Sequence, residues 1–232
     1  MQLNTRFQSQ KLRKIFHMIN GLIITFVYGF LLTKYQAQVI IGVLLILLLP
    51  IDLFRLKFKK FNNFMIQNFH FLFRENEKSE LSAQFYYLLG VAFLVFCLPK
   101  IFALHGILCL SLLDPIAAMV GIKWGRITWN NIFTRFFQDF PKLNKIVGTK
   151  TVEGTFAGFI MALIAGAMTW FLPWSNVGEV ALNISFESKI YLSVLVAIVA
   201  SAAEAWPSQW DDNAVVPFFS GLVSTILYLI LS

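Results

Sequence analysis

Five stretches of this chain contain no Asp, Glu, Lys or Arg, and each is long: residues 15–33, 35–51, 81–99, 154–178 and 214–232. A helix rises 1.5 Å per residue, so about 20 apolar residues cross a hydrocarbon core of ~30 Å. Inside that core the backbone finds no water, and a helix satisfies its polar groups within one segment. Two further apolar stretches hold one acid each, 101–122 around Asp114 and 190–210 around Glu204. Charged residues make up 13% of the 232 and hydrophobic ones 58%, which leaves too few charges to cover a soluble globule. The same composition excludes a disordered chain. The expected fold is all-α: a polytopic bundle of about seven transmembrane helices in a single membrane domain. Its spans are expected near 15–33, 36–54, 82–99, 101–122, 155–173, 190–207 and 214–231. The first run is too long for the core of a signal peptide and reads as a retained helix.

Lys and Arg are unevenly shared between the loops. Sixteen of the 19 fall before helix one, between helices two and three, or between helices four and five. Three, Lys34, Lys100 and Lys189, fall on the other side. Basic loops stay in the cytoplasm, so this split predicts a cytoplasmic N-terminus. Ten of the 12 acids share that side, which makes it dense in both signs of charge. An excess of positive charge alone means topology and attraction to anionic lipid. Acids beside it suggest a site.

Between residues 128 and 145, Trp129, Ile132, Phe133, Phe136, Phe137 and Phe140 repeat at helical spacing among basic residues. That pattern predicts an amphipathic helix lying at the membrane interface, or one packed on the rest of the protein. Cys97 and Cys109 both fall in expected spans and read as packing residues. Nucleic-acid binding has no recognisable module here.

Ionisable groups inside membrane spans are costly and are functional candidates by default. By the predicted topology they gather at one depth. Arg13, Lys14 and His17 lie at the start of helix one, with Arg13 and His17 on one face. Asp114 begins a run that includes Gly121 and Gly125. Lys150, Thr151, Glu153, Gly154 and Thr155 lead into helix five, which is expected to begin near Thr155 with free amides facing an anion. Glu204 ends helix six, and Asp211, Asp212 and Asn213 precede helix seven. Carboxylates such as Asp114, Glu204, Asp211 and Asp212 are hard oxygen ligands, and Mg²⁺ takes one or two of them plus substrate phosphates. Lys and Arg offer cations for phosphate oxygens. Acids, cations and glycines together suit phosphoryl transfer, in which the protein chiefly positions groups and stabilises charge. Each cluster also has a plainer reading. Gly121 and Gly125 form a small-residue packing motif, Asp211 and Asp212 cap a turn, and Lys150 is a membrane anchor. His105, in mid-span near the far face, reads as structural.

From Arg13 to about Gly221 the chain resembles the dolichol kinase, phytol kinase and CTP-dependent diacylglycerol kinase family of integral membrane lipid kinases. The likeness rests on residues 13–17 with Gly21, on 80–90, on 114–121 with Gly125, on 150–159, and on Glu204 followed by 211–217. The stretch between Gly125 and Lys150 is longer and richer in Phe than the family's loop, and Pro115 follows Asp114 where a small or polar residue is usual. The resemblance implies a kinase that moves the γ-phosphate of CTP, with a divalent cation such as Mg²⁺, to a membrane alcohol: polyprenol or dolichol, a phytol-like isoprenoid, or diacylglycerol. Carried over by position, the nucleotide-binding set is Arg13, Lys14, His17, Gly121, Gly125, Lys150, Thr151, Glu153, Gly154, Thr155 and Asn213. The metal positions are Asp114, Asp211 and Asp212, and the catalytic ones are Asp212, Glu204 and Lys150. The expected partners are CTP, the lipid alcohol and the bilayer itself, with an active site facing the cytoplasm. Two rivals stand beside this reading. A CTP:phosphatidate cytidylyltransferase would carry a C-terminal signature that is absent here. A proton-coupled transporter would spread its acids through the bilayer depth.

Overall fold

The computed structural model describes residues 2–69, 73, 76–136, 150–175, 184–206 and 211–231. Helix α1 (Gln2–Phe26) continues into a π-helical turn (Val27–Leu31). After Thr33 the chain reverses into α2 (Lys34–Lys57). That reversal is fixed by a capping box: the Gln36 amide donates to Thr33 Oγ1 at 3.3 Å, and the Thr33 amide donates to Gln36 Oε1 at 2.9 Å. Then follow α3 (Lys59–Asn68), a 3₁₀ turn (Asn76–Lys78), α4 (Ala83–Cys97), α5 (Lys100–Trp124), α6 (Trp129–Phe136), α7 (Val152–Phe171), α8 (Phe186–Ala205) and α9 (Asp212–Leu231). Among the described residues no strand forms beyond one isolated bridge, Thr128 to Thr151. Among the described residues six helices are long and apolar enough to cross a membrane. The expected third span is α4, whose 15 residues rise only ~22 Å.

Helix α5 is the hub. It is buried over most of its length, and α1, α7 and α9 pack round it. Helix α8 closes on α7 and α9, while α4 joins α9 to α2. Lipid tails are as apolar as Leu, so helices in a membrane associate through close packing of small residues rather than water exclusion. At the α5–α7 crossing a Cβ on Gly154 would lie 2.7 Å from the Ala117 carbonyl oxygen. Glycine is what lets these two backbones touch. Large apolar side chains on the outer faces, such as Ile46, Leu47 and Leu229, remain exposed and suit lipid contact.

Both ends of the bundle are tied by buried cations. At one end Lys100 donates to the Leu32 carbonyl (2.7 Å) and the Ser175 carbonyl (2.6 Å), and its ammonium lies over the Tyr28 ring. It thereby joins the turn after α1 to the turn after α7. Near it His105 is fully buried, with Nδ1 3.0 Å from Ser224 Oγ. Cys109 is buried, whereas Cys97 is exposed at the end of α4. At the opposite end lies Arg55, only 1% exposed. It donates to Asp52 Oδ1 (2.9 Å), Asn62 Oδ1 (3.0 Å), the Glu77 carbonyl (2.5 Å) and the Glu80 carbonyl (2.8 Å). Asp52 in turn accepts from the Ser82 amide at 2.7 Å, and Ser82 caps α4. One guanidinium thus folds the α2–α4 connection and sets where α4 begins.

Candidate active site

The charged end of the bundle holds two lysine–carboxylate pairs. Lys14 on α1 places its ammonium 2.7 Å from both oxygens of Asp114, on the buried face of α5. Lys150, in the segment before α7, lies 2.9 Å from Asp212 Oδ1 and 3.6 Å from Glu204 Oε1. It also donates to the Glu204 backbone carbonyl. Lys150 therefore gathers the start of α7, the end of α8 and the start of α9. Asp114 is close enough to add to the field at Lys150. Burial works against the Lys150 ammonium, but Asp212 and Glu204 outweigh it and raise its pKa above the ordinary 10.5.

A cavity of about 310 Å³ opens beside the Lys14–Asp114 pair. Arg13, His17 and Asn213 share its wall with Lys14 and Asp114. The His17 ring meets Tyr87 edge-on, with centroids 4.4 Å apart. Asn213 is buried and donates to the Ala83 carbonyl at 3.3 Å, so the α4 start fixed by Arg55 is held directly to α9. Five regions of sequence, around residues 14, 114, 150, 204 and 212, thus meet at one end of the fold.

Other residues of the expected nucleotide set spend their polar groups inside the protein. Helix α7 begins at Val152, three residues before the expected start. Thr151 is its N-cap and accepts from the Gly154 amide at 3.1 Å. The Val152 amide donates to Ile127 O and the Thr155 amide to Thr151 O, so these amides are not presented to an anion. The Glu153 carboxylate accepts from the Arg126 amide (2.9 Å) and the Ile127 amide (3.2 Å). Thr155 Oγ1 accepts from the Trp129 indole (2.9 Å) and donates to the Thr151 carbonyl (3.1 Å). A Cβ on Gly121 would lie 2.9 Å from Thr151 Oγ1, and one on Gly125 would collide with Thr151 and the Gly121 carbonyl. These residues build the bracket that holds Lys150 in place. Asp211 acts similarly on α9, where its Oδ1 accepts from the Asn213 amide at 3.0 Å and its carbonyl accepts from the Ala214 and Val215 amides.

Among the described residues no three acids, cysteines or histidines are close enough to cage a metal on their own. Asp114 and Asp212 instead each face a lysine ammonium. That donor set fits Mg²⁺ in the mode that uses one or two carboxylates and completes its shell with phosphate and water.

Arg55, Asp52 and Asn62 were not distinguished by the sequence, in which Arg55 counted only as one more basic loop residue. The one local sign was the Asp52–Arg55 spacing of three on a helix. Of the aromatic stripe, Trp129 turns toward the protein through its bond to Thr155. Phe137 and Phe140 lie outside the described residues.

A CTP-dependent diacylglycerol kinase 1 from Eremothecium gossypii is 29% identical over 221 residues, covering 90% of this chain and 64% of its own length. The proteins of the same name from Schizosaccharomyces pombe and Saccharomyces cerevisiae are each 27% identical. The first alignment covers 85% of this chain and 84% of the relative, the second 90% and 70%. The chain thus spans just under two thirds of the Eremothecium protein. No family model and no solved structure matches it. Over most of its length the chain is thus similar to three proteins named CTP-dependent diacylglycerol kinase 1, which supports the resemblance carried by its motifs.

Proposed function

We propose that the charged end of this bundle is the active site of a CTP-dependent lipid kinase, facing the cytoplasm, with diacylglycerol as the foremost acceptor. The observation that carries the reading is the pair of lysine–carboxylate contacts, Lys14–Asp114 and Lys150–Asp212–Glu204, brought to one end from five regions of sequence. Buried charges persist only when compensated. A site that must receive a polyphosphate and a cation needs both signs of charge in advance, each neutralised by the other until substrate arrives. The fungal relatives are named for CTP and diacylglycerol, which supports that choice of donor and acceptor.

In this account Lys14 and Lys150 exchange their carboxylate partners for phosphate oxygens as CTP binds, with Arg13 adding a third cation at the rim. Asp114 and Asp212 are the residues that would hold Mg²⁺. Bound there, the ion would neutralise charge on the transferring phosphoryl group. Glu204, or Asp212, orients the lipid hydroxyl and takes its proton as the oxygen attacks phosphorus and CDP leaves. Thr151, Glu153, Gly154, Thr155, Gly121 and Gly125 support the reaction through the placement of Lys150. The test is purified protein in lipid nanodiscs with Mg²⁺, CTP or ATP, and a panel of alcohols: diacylglycerol, dolichol, a shorter polyprenol and phytol. CTP-dependent phosphorylation of one of them is expected. No phosphorylated lipid with any of them defeats the reading.

A further inference from the structure

Helices α1 and α2 follow one another in the chain yet rest on different supports, α1 on α5 and α2 on α4. They meet at the Leu32–Thr33 turn, and toward the charged end the cavity beside Lys14 and Asp114 lies between them. Its lower walls are apolar: Ile23 and Ile24 from α1, Leu44 and Leu48 from α2, and Leu88 from α4. Ile23 is 54% exposed and Leu44 46%, so the gap opens on the flank of the bundle, where lipid lies. Its upper end is polar, with Asn20 one turn above Ile23 and Ile24, and then Lys14 and Asp114. From Lys14 to Ile24 the helix rises ~15 Å, half the depth of a ~30 Å hydrocarbon core.

A cleft that is charged at headgroup depth, apolar down to mid-membrane and open sideways has the polarity profile of a single amphiphile. We propose that the acceptor lipid enters between α1 and α2, its headgroup passing Lys14 and Asp114 so that the hydroxyl meets Glu204 and Asp212 beyond them, and its chain lying between Ile23 and Leu44. This rests on the lipid-kinase reading and specifies its route. A larger groove, about 1030 Å³, runs between α4, α8 and α9 past Phe93, Ala203 and Phe218. Among the described residues no ionisable or hydroxyl side chain lines it, so it offers a surface to a chain but no acid or cation to orient a hydroxyl.

The experiment uses the intact protein in nanodiscs with a diacylglycerol carrying a diazirine at mid-chain, irradiated with and without excess unlabelled diacylglycerol. Peptide mass spectrometry is expected to find competable adducts within residues 16–24 and 44–48. Competable adducts confined to residues 89–96, 199–206 or 214–219, or adducts spread over the bundle without competition, overturn the route. This readout needs no turnover, so it is separate from the kinase assay, whose failure with every lipid would defeat the functional reading instead. In the active protein, Ile23→Trp and Leu44→Trp are expected to raise the KM for long-chain diacylglycerol about tenfold. The KM for CTP should stay within about twofold, as it should for both substrates in Leu89→Trp, in the other groove. Equal effects of Leu89→Trp and Ile23→Trp on the lipid KM contradict the assignment.

Discussion

Replacing Lys150 by Met removes the ammonium that holds Asp212 at 2.9 Å and Glu204 at 3.6 Å while keeping the length of the side chain. The Glu204 carboxylate is left 9% exposed and Asp212 26% exposed, with their shared cation gone. Breaking a buried ion pair by removing one member costs about 3–5 kcal/mol, and the partial exposure of Asp212 lowers this to ~2–4 kcal/mol. On turnover, loss of a cation aimed at phosphate charge is expected to lower kcat/KM by ~10²–10³. The two effects separate in the double variant Lys150→Met/Asp212→Asn. Without the unpaired Asp212 charge, thermal stability should recover by about half, but phosphoryl transfer should not return. Unfolding is followed by intrinsic fluorescence in detergent and turnover by lipid phosphate formed from CTP. A single variant that keeps turnover within about threefold of wild type, or a double variant that regains it, refutes the role given to Lys150. The same pair has a pH signature. Because the folded-state pKa of Lys150 is raised, its stabilisation is full below 10.5 and is lost as pH rises through the raised value. The stability difference between wild type and Lys150→Met should therefore hold steady from pH 9 to 10 and shrink above 10.5. A difference already shrinking between pH 9 and 10 contradicts the assignment.

Arg55→Met should destabilise the protein by ~3–5 kcal/mol, since it strands Asp52 and two carbonyls in a buried site, with Arg55→Lys recovering only part. Denaturant titration of both variants checks this, and equal stability of all three proteins would contradict it. Gly154→Ala forces a Cβ to 2.7 Å from the Ala117 carbonyl and should cost ~1–3 kcal/mol and lower turnover with it. Gly42→Ala, which meets nothing closer than Phe96 at 3.7 Å, should be near neutral in the same thermal melts. Chelation of divalent ions is expected to abolish transfer and added Mg²⁺ to restore it. Full activity in excess chelator would remove the metal from the account.

The long spans were legible because a membrane imposes length and apolarity on each helix separately, without reference to its neighbours. The acids and lysines of the site were legible for a related reason: charge at span depth is costly enough to stand out in a sequence. Asp114 and Glu204 stand out in this way, and the structure joins each to a lysine. Division of labour within residues 150–155 was not legible. A hydroxyl or carboxylate that binds phosphate has the same chemistry as one that caps a helix, and only the positions of Arg126, Ile127 and Trp129 show which bonds form. Thr151 followed by Glu153 did carry a helix-start signal, a hydroxyl cap with an acid in the first turn, and would have set the boundary three residues earlier. Arg55 was invisible for a different reason. Two of its partners are carbonyls 22 and 25 residues away, and a carbonyl has no sequence identity. Lys100 escaped in the same way, its two acceptors being the backbone oxygens of Leu32 and Ser175.

The fate of CTP tests the central claim most directly. Phosphorus NMR of purified protein with CTP and Mg²⁺ should show CDP and phosphatidate rising together, one for one, when diacylglycerol is supplied, and no reaction when phosphatidate is supplied in its place. Pyrophosphate and a CDP-lipid formed from phosphatidate would instead make the protein a cytidylyltransferase and contradict the account.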